Sequence, residues 1–588
     1  MRLNLRTTLF LAYYASVFSL SSCNNDTTGG KLDAVITHEL SDPEQLTPFN
    51  ARDNNASNIF NNTFQTLLSI DYKTYAIVPI LATSRPVVKQ LPNGKMTLEC
   101  EIRPEAKWDN GTPITGEDVA FSLKVIRCPQ TNNKAYKPYF ESIEDIIIDP
   151  KNPKKFTLIE KEFYVLAESA LYDLWIIPSY IYDEKNILKP YTLANMVKVG
   201  AALEADPQML AFATEYNSSK FQREKVVGSG AYQFTKWDKN QRITLTRKQN
   251  WWAEAVAKDK SMYFQAYPKN IIYETINDLT TAIVALKSKR LDCMAMIDPK
   301  DFTQELAKSV DFNNDFYMFT PMLPMYSFMG MNTRSPKFSD IRVRKALAHL
   351  MDVDQYIQTV TYGLGNRATS FIYPGLDKFK NTDLVPYEFN VNEAKRLLTD
   401  AGWADTNNNG TIDKVLDGKP TEFAMDINYN TGNKKREKAC LIFQDACQKA
   451  GIKVNVVAVD WSILSKNLQS HKFDMFISAL GVSSPVEGDP YQLWATSEYN
   501  GGSNYCGFGD AASDAVINKI RHEPSLDRRI ELTKQLQFMI NEACPCIFLS
   551  NTKNAIAVSK KYKNVYESNC APGFFMAGFA GPNAKLVQ

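Results

Sequence analysis

Histidine is scarce, with four in 588 residues. His38, His349, His471 and His522 stand far apart, none in HExxH or another metal-ligand spacing, which removes the zinc hydrolases. His349 reads as a core or boundary residue beside an apolar helix face. A GxSxG elbow is also missing, because Gly228-Ser229-Gly230 has the wrong spacing for a nucleophile turn. Carboxylate pairs occur, but nothing in the pattern sets two across a cleft. No enzyme is expected. Excess charge of one sign is absent too. The chain has 67 Lys and Arg against 65 Asp and Glu and no long basic run, so nucleic acid is not a partner. Of ten cysteines, nine remain besides Cys23, an odd number without paired CxxC motifs. Cys440 and Cys447 lie two helical turns apart, and Cys544-Pro545-Cys546 points its thiols to opposite faces. Buried free thiols, with one disulfide at most, are expected. Beyond the first twenty residues no run is apolar enough to span a bilayer.

The N-terminus is the most specific segment. Arg2 and Arg6 precede an apolar run over residues 9–18, then Leu20-Ser21-Ser22-Cys23, then a polar stretch from Asn24 to Gly30. A charged start, a short apolar core and small residues before a cut site make a secretory signal. The segment resembles the lipobox of bacterial lipoproteins, whose cysteine takes a diacylglyceryl group; the alternative is an ordinary leader with a chance cysteine. The first reading gives a signal peptide over 1–22, lipidation at Cys23 and a flexible lipid-anchored tether over 23–32. The protein is then extracytoplasmic, held to a bacterial membrane on its periplasmic face or at the cell surface. No aspartate follows Cys23, so inner-membrane retention is not signalled that way.

The remaining chain exceeds what one core organises, so two or three domains are expected. Aromatics make up 12% of residues, which suits a ligand cleft and equally a large core. Helices and strands alternate. Residues 434–450 carry Ala439, Ile442, Phe443, Ala446 and Ala450 at helical spacing; Gly451 ends the helix, and residues 452–456 alternate like a strand. Asp340 caps a helix whose apolar face is Val343, Ala346, Leu347, Leu350 and Met351. Asn390 with Glu393, and Thr115 with Asp118, are placed for capping boxes, the former helix stopping at Gly402. The class is α/β.

Six segments carry more than helix chemistry. They are Ser41-Asp42-Pro43-Glu44-Gln45-Leu46-Thr47-Pro48, Trp108-Asp109-Asn110-Gly111-Thr112-Pro113 running into the Thr115 helix, Val226-Val227-Gly228-Ser229-Gly230-Ala231-Tyr232, Arg247-Lys248-Gln249-Asn250-Trp251-Trp252, Phe338-Ser339-Asp340-Ile341-Arg342-Val343-Arg344-Lys345, and Glu393-Ala394-Lys395-Arg396-Leu397-Leu398 up to Trp403. Asn110-Gly111 and Thr112-Pro113 read as turn chemistry, and Gly228 and Gly230 as a tight backbone bend. In this order the six resemble the family 5 solute-binding proteins of ABC transporters, the dipeptide-, oligopeptide- and nickel-binding group, over about residues 35–560. The resemblance implies a two-lobed α/β fold of the periplasmic-binding-protein type (class II) with an additional α/β domain. It divides the chain into a discontinuous first lobe of 31–66, 224–320 and 545–588, an extra domain of 67–223 and a second lobe of 321–544. Strands crossing between lobes would act as hinges. It also implies a monomer that takes a peptide or other small solute and meets an ABC permease and ATPase complex.

In peptide-binding relatives, an aspartate shortly before an Asp-Pro pair commonly pairs with the peptide α-ammonium. Asp489-Pro490 matches that pair, but Leu480 stands for the family tryptophan and Val486 occupies the position three before Asp489. Glu487, one residue along, is the replacement candidate; otherwise the loop is simply solvated. Tyr491, Trp494 and Tyr499 are cleft candidates from the same stretch. Trp251, beside Trp252, and Asn428-Tyr429-Asn430 at a strand end facing a crevice complete the ligand-binding set. Asp405, Asn407, Asn409 and Asp413, with Gly410 sixth, resemble a calcium loop, although Leu416 stands where the bidentate glutamate belongs. A surface turn is the other reading, so no cofactor is expected beyond this weak structural calcium. The functional expectation is a receptor that captures oligopeptides as an added strand for an importer. The alternatives are a metal chelate, haem or oligosaccharide in the same role, or a lipid-anchored sensory or adhesion receptor. Scarce histidine weakens nickel.

Overall fold

The computed structural model describes residues 34–584 apart from 52, 134–135, 260, 482–485 and 501. The leader, Cys23 and the tether lie outside the described residues.

Helix boundaries follow from local capping. Gly116–Arg127 opens on a full capping box between Thr115 and Asp118. Ile341–His349 opens on Asp340, which accepts from the Arg342 amide, and all five apolar-face residues are buried. Lys434–Lys449 is capped by Asn433, and Gly451 takes φ +78 just beyond its end. Val391–Asp400 departs from expectation. Asn390 caps the Glu393 amide, but its own N–H already donates to the His349 carbonyl at 2.9 Å. Glu393 therefore closes no capping box and pairs with Arg396 at 2.6 Å.

Two large sheets carry the architecture. A seven-stranded sheet runs in the order Phe316–Phe319, Ile556–Ser559, Cys293–Met294, Ala34–Glu39, Asn270–Thr275, Arg242–Arg247 and Tyr232–Asp238. A six-stranded sheet runs Gly365–Arg367, Cys546–Lys553, Met322–Met331, Met475–Gly481, Ala424–Asn430 and Lys453–Val459. A third, antiparallel sheet of four strands joins Val87–Gln90, Met96–Glu101, Lys155–Glu160 and Ile143–Ile148. One hydrophobic cluster runs from the seven-stranded sheet into this four-stranded unit, while two others flank the six-stranded sheet. The mixed α/β fold with several sheets is the class that the alternation of elements implied.

The chain passes between the large sheets at two adjacent points, after Phe319 and after Lys553. There the Asn554 amide donates to the Pro321 carbonyl at 2.8 Å, which ties the crossings together. The second crossing corrects the boundary expected at 545. Cys546–Lys553 pairs with Met322–Met331 in the six-stranded sheet, with Phe328 opposite Phe548, and only Ile556–Ser559 joins the seven-stranded one. A strand pairs for as long as its partner continues, so this crossing lies after the strand. All nine described cysteines are free and eight are buried, so no disulfide forms among the described residues. Among these residues no helix is long and apolar enough to cross a membrane.

Candidate functional site

The loop after Met475–Gly481 leaves the six-stranded sheet and meets the four-stranded unit. Asp489 is its anchor. Its Oδ2 accepts from Tyr164 Oη and from Arg521 Nε, both at 2.9 Å, and its Oδ1 accepts from the Tyr491 amide at 2.9 Å. The Val165 amide adds a bond to the Arg521 carbonyl at 3.0 Å, and the Arg521 guanidinium lies 4.5 Å from the Tyr491 ring centroid. Asp489 and Arg521, meeting Tyr164 and Val165, therefore join the two parts of the molecule. A second approach is the pair Lys435–Asp298 at 3.9 Å, from the helix after Asn430 to the seven-stranded side.

Glu487 does not offer the free carboxylate expected of it. Arg529, on helix Leu526–Ala543, holds it through two bonds of 2.8 and 3.1 Å, and both side chains are largely buried. A partner 42 residues away cannot be read from the loop's own pattern. Val486 packs against the cluster that runs from the seven-stranded sheet into the four-stranded unit.

Residues of the seven-stranded side and of the four-stranded unit line a cavity of about 260 Å³, just below the roughly 300–1,000 Å³ of ligand pockets. Aromatic walls come from Tyr72, Tyr136, Tyr172, Trp175, Trp251 and Tyr263, and amides from Asn61, Asn62, Gln65 and Gln265. Among the described lining residues, Asp173 is the one acidic or basic side chain. Its surface is accessible, yet surrounding protein desolvates the carboxyl and raises it to about 7. These two facts agree if that surface faces the cavity rather than bulk water.

Of the residues nominated from sequence, Trp251 reaches this cavity; it is buried, with its indole N–H donating to the Ser229 carbonyl at 2.8 Å. Tyr499 does not, being stacked on His471 at 3.7 Å with Arg334 3.8 Å over its ring. Trp494 is buried between Phe371 and Phe508. Asn428 and Tyr429 are buried at the end of Ala424–Asn430, and Asn430 accepts from Arg436 at 2.6 Å. In the Asp405 loop the oxygens serve internal turns. Asp405 accepts from the amides of Asn409 and Gly410, Asn407 from the Asn409 amide, and Asp413 from Thr406. Asn409 binds the Thr411 amide and Glu422. Among the described residues no three His, Cys, Asp or Glu side chains group to hold an ion. Sequence reasoning missed Asp173, Tyr136, Tyr172 and Trp175; one acidic residue among aromatics in Tyr172-Asp173-Leu174-Trp175 is the only local signal.

Three of the sequence motifs converge beneath this cavity. Lys248, almost wholly buried, donates to Asp109 at 2.8 Å and to the Gly228 carbonyl at 2.6 Å. Gly228 and Gly230 do not take the positive φ of a special bend. A Cβ on Gly230 would lie 2.5 Å from the Asn62 carbonyl oxygen, and one on Gly228 2.3 Å from that of Thr63. Close approach to the end of helix Asn54–Thr63 requires glycine there.

Comparison with known proteins is consistent across nearly the whole chain. The profile of bacterial extracellular solute-binding proteins, family 5 Middle, matches residues 76–502. Oligopeptide-binding protein AppA of Bacillus subtilis is 24% identical over 562 residues, covering 94% of this chain and 93% of AppA. The structure of B. subtilis AppA in complex with a nonapeptide matches with a TM-score of 0.72 at 23% identity, covering 94% of this chain and 99% of that one. NikZ from Campylobacter jejuni, in complex with Ni(L-His), gives 0.71 at 20% identity, covering 93% and 97%.

Proposed function

Because the chain belongs to the bacterial extracellular solute-binding proteins of family 5, a family of binding proteins rather than enzymes, we propose that it captures oligopeptides for an ABC importer. The first lobe and extra domain form one wall of the cleft, the second lobe closes over it, and the paired crossings at Pro321 and Asn554 serve as the hinge. Cys23 carries the lipid, and the tether keeps the monomeric receptor at high effective concentration near its permease.

The observation that carries the peptide reading is the cavity lining. The Asn61 and Gln265 side-chain amides, which bond nothing among the described residues, offer donors and acceptors to a peptide backbone between aromatic walls that accept varied side chains, while Asn62, Gln65 and Thr66 are held by Asn58 and Tyr273, Trp252 and Leu68. The likeness to AppA, an oligopeptide-binding protein, supports the same reading. The metal-chelate alternative, which NikZ illustrates, has less support because no histidine is among the described lining residues. A thermal-shift screen of the purified protein against mixed short peptides, sugars and metal chelates tests the assignment. Stabilisation by peptides is expected; stabilisation by sugars or chelates alone would refute it.

A further inference from the structure

We infer that Asp173 forms a cation subsite in the cavity, taking an ammonium group of the bound solute. The inference rests on the peptide reading and adds to it where the ligand's positive charge goes.

The fold makes no visible use of this side chain. Asp173 is the last residue of the four-residue helix Ala170–Asp173, where a carboxylate opposes the helix dipole rather than complementing it. No hydrogen bond or ion pair to its carboxylate forms among the described residues. The neighbouring acids differ. Glu168 is matched by Arg85, Glu487 by Arg529 and Asp489 by Arg521. Asp173 instead lines the cavity with an accessible surface and no cation among the described residues, which leaves its charge to a ligand.

The surroundings favour a cation. Tyr136 and Tyr139 approach from the segment Lys137–Phe140 and its flank, and Tyr172 from the same helix; the negative charge of Asp173 acts on all three hydroxyls. From the second lobe, the charge of Glu487 reaches Tyr172 and that of Asp489 reaches Tyr139, while Asp53 acts on Tyr136. Of these facing groups Glu487 and Asp489 are already paired with Arg529 and Arg521, and the phenols carry no cation, so Asp173 is the carboxylate left unpaired among them. An ammonium has three donors, so Asp173 can take one while amide oxygens and aromatic faces receive the rest.

Two sources supply this chemistry, a peptide N-terminus or a lysine side chain. Isothermal titration with three peptides of one length separates them: a free N-terminus without lysine, an acetylated N-terminus with one lysine, and an acetylated peptide without a cation. Wild type should bind at least one cationic peptide more tightly than the uncharged one. Asp173→Asn should weaken that peptide by about tenfold to a hundredfold and leave the uncharged one unchanged, which also shows that the variant is folded. The peptide that loses affinity identifies the source. As a second measurement, the preference of wild type for the cationic peptide should shrink between pH 8 and pH 6 as the carboxyl takes up its proton. Equal loss for all three peptides, no loss for any, or a preference indifferent to pH would overturn the subsite while leaving peptide capture intact. Binding of none of the three would overturn the peptide reading and the subsite with it.

Discussion

Tyr164→Phe removes one hydroxyl and nothing else, and that hydroxyl joins the segment after the four-stranded sheet to the residues that follow Met475–Gly481. Tyr164 Oη donates to Asp489 Oδ2 at 2.9 Å. Hydrogen bonds to charged groups contribute about 1.5–3 kcal/mol. Asp489 and Arg521 are each about a quarter exposed, at 24% and 23%, so water screens the contact and the lower end, about 1.5 kcal/mol, applies. Asp489 keeps Arg521 Nε and the Tyr491 amide, so the substitution strands no buried charge. If the bond forms only when the lobes close on ligand, its loss weakens the closed complex and spares the folding of either part. About 1.4 kcal/mol is tenfold in affinity, so Kd should rise roughly tenfold, mainly through faster dissociation. Titration calorimetry and stopped-flow release with a peptide from the screen read these quantities, and thermal unfolding of the ligand-free protein is the control. Unchanged affinity would refute the clasp. An unfolding midpoint that drops in step with affinity would show the bond to belong to the fold rather than to closure.

Other consequences are equally concrete. Lys248→Met leaves Asp109 and the Gly228 carbonyl without their donor; because Asp109 is half exposed and can be rehydrated, a loss of about 2 kcal/mol is expected in urea unfolding, and a neutral result would contradict the role given to this lysine. Gly230→Ala drives a methyl into backbone that cannot step aside, with an expected cost of about 1–3 kcal/mol by the same assay. Burial pushes Glu39 and Glu160 up to about 7 and Asp118 to about 6, above ordinary carboxylate values of about 4. The folded state then binds more protons than the unfolded one across that window, so the contribution of these groups is fully present below about pH 4 and is lost as the pH rises from there to about 7; Glu160→Gln should flatten the melting profile over that range. Cys23→Ser should move the protein from the membrane fraction to the soluble one without altering ligand affinity, and membrane retention of the variant would remove the lipid anchor.

What was legible in the sequence is what local chemistry fixes. The capping box of Thr115 and Asp118, the Asp340 cap with its buried face and the glycine stop at Gly451 all depend on residues within one or two turns. Scarce histidine excluded catalysis by the zinc hydrolases because ligand spacing is itself a local pattern. The six motifs were recognisable in order, but their reason was not. That Asp109, Gly228 and Lys248 meet at one ammonium, and that Gly230 is small because helix Asn54–Thr63 ends against it, are facts of packing between distant segments. Glu393 shows the same limit at short range, since a carbonyl from His349 took the N–H that its capping box needed.

The sequence by itself determined the α/β class and the family, because periodicity, caps and ordered motifs are written in neighbouring residues. Tertiary structure alone decided which carboxylates are spent and which is free. Glu487 and Asp489 looked available beside the cleft, yet Arg529 and Arg521 arrive from 42 and 32 residues away and neutralise them. Asp173 carried no signal beyond its aromatic neighbours, and among the described residues it is the one carboxylate lining the cavity. Charge compensation is a property of distance in space, and the linear order of residues does not contain it.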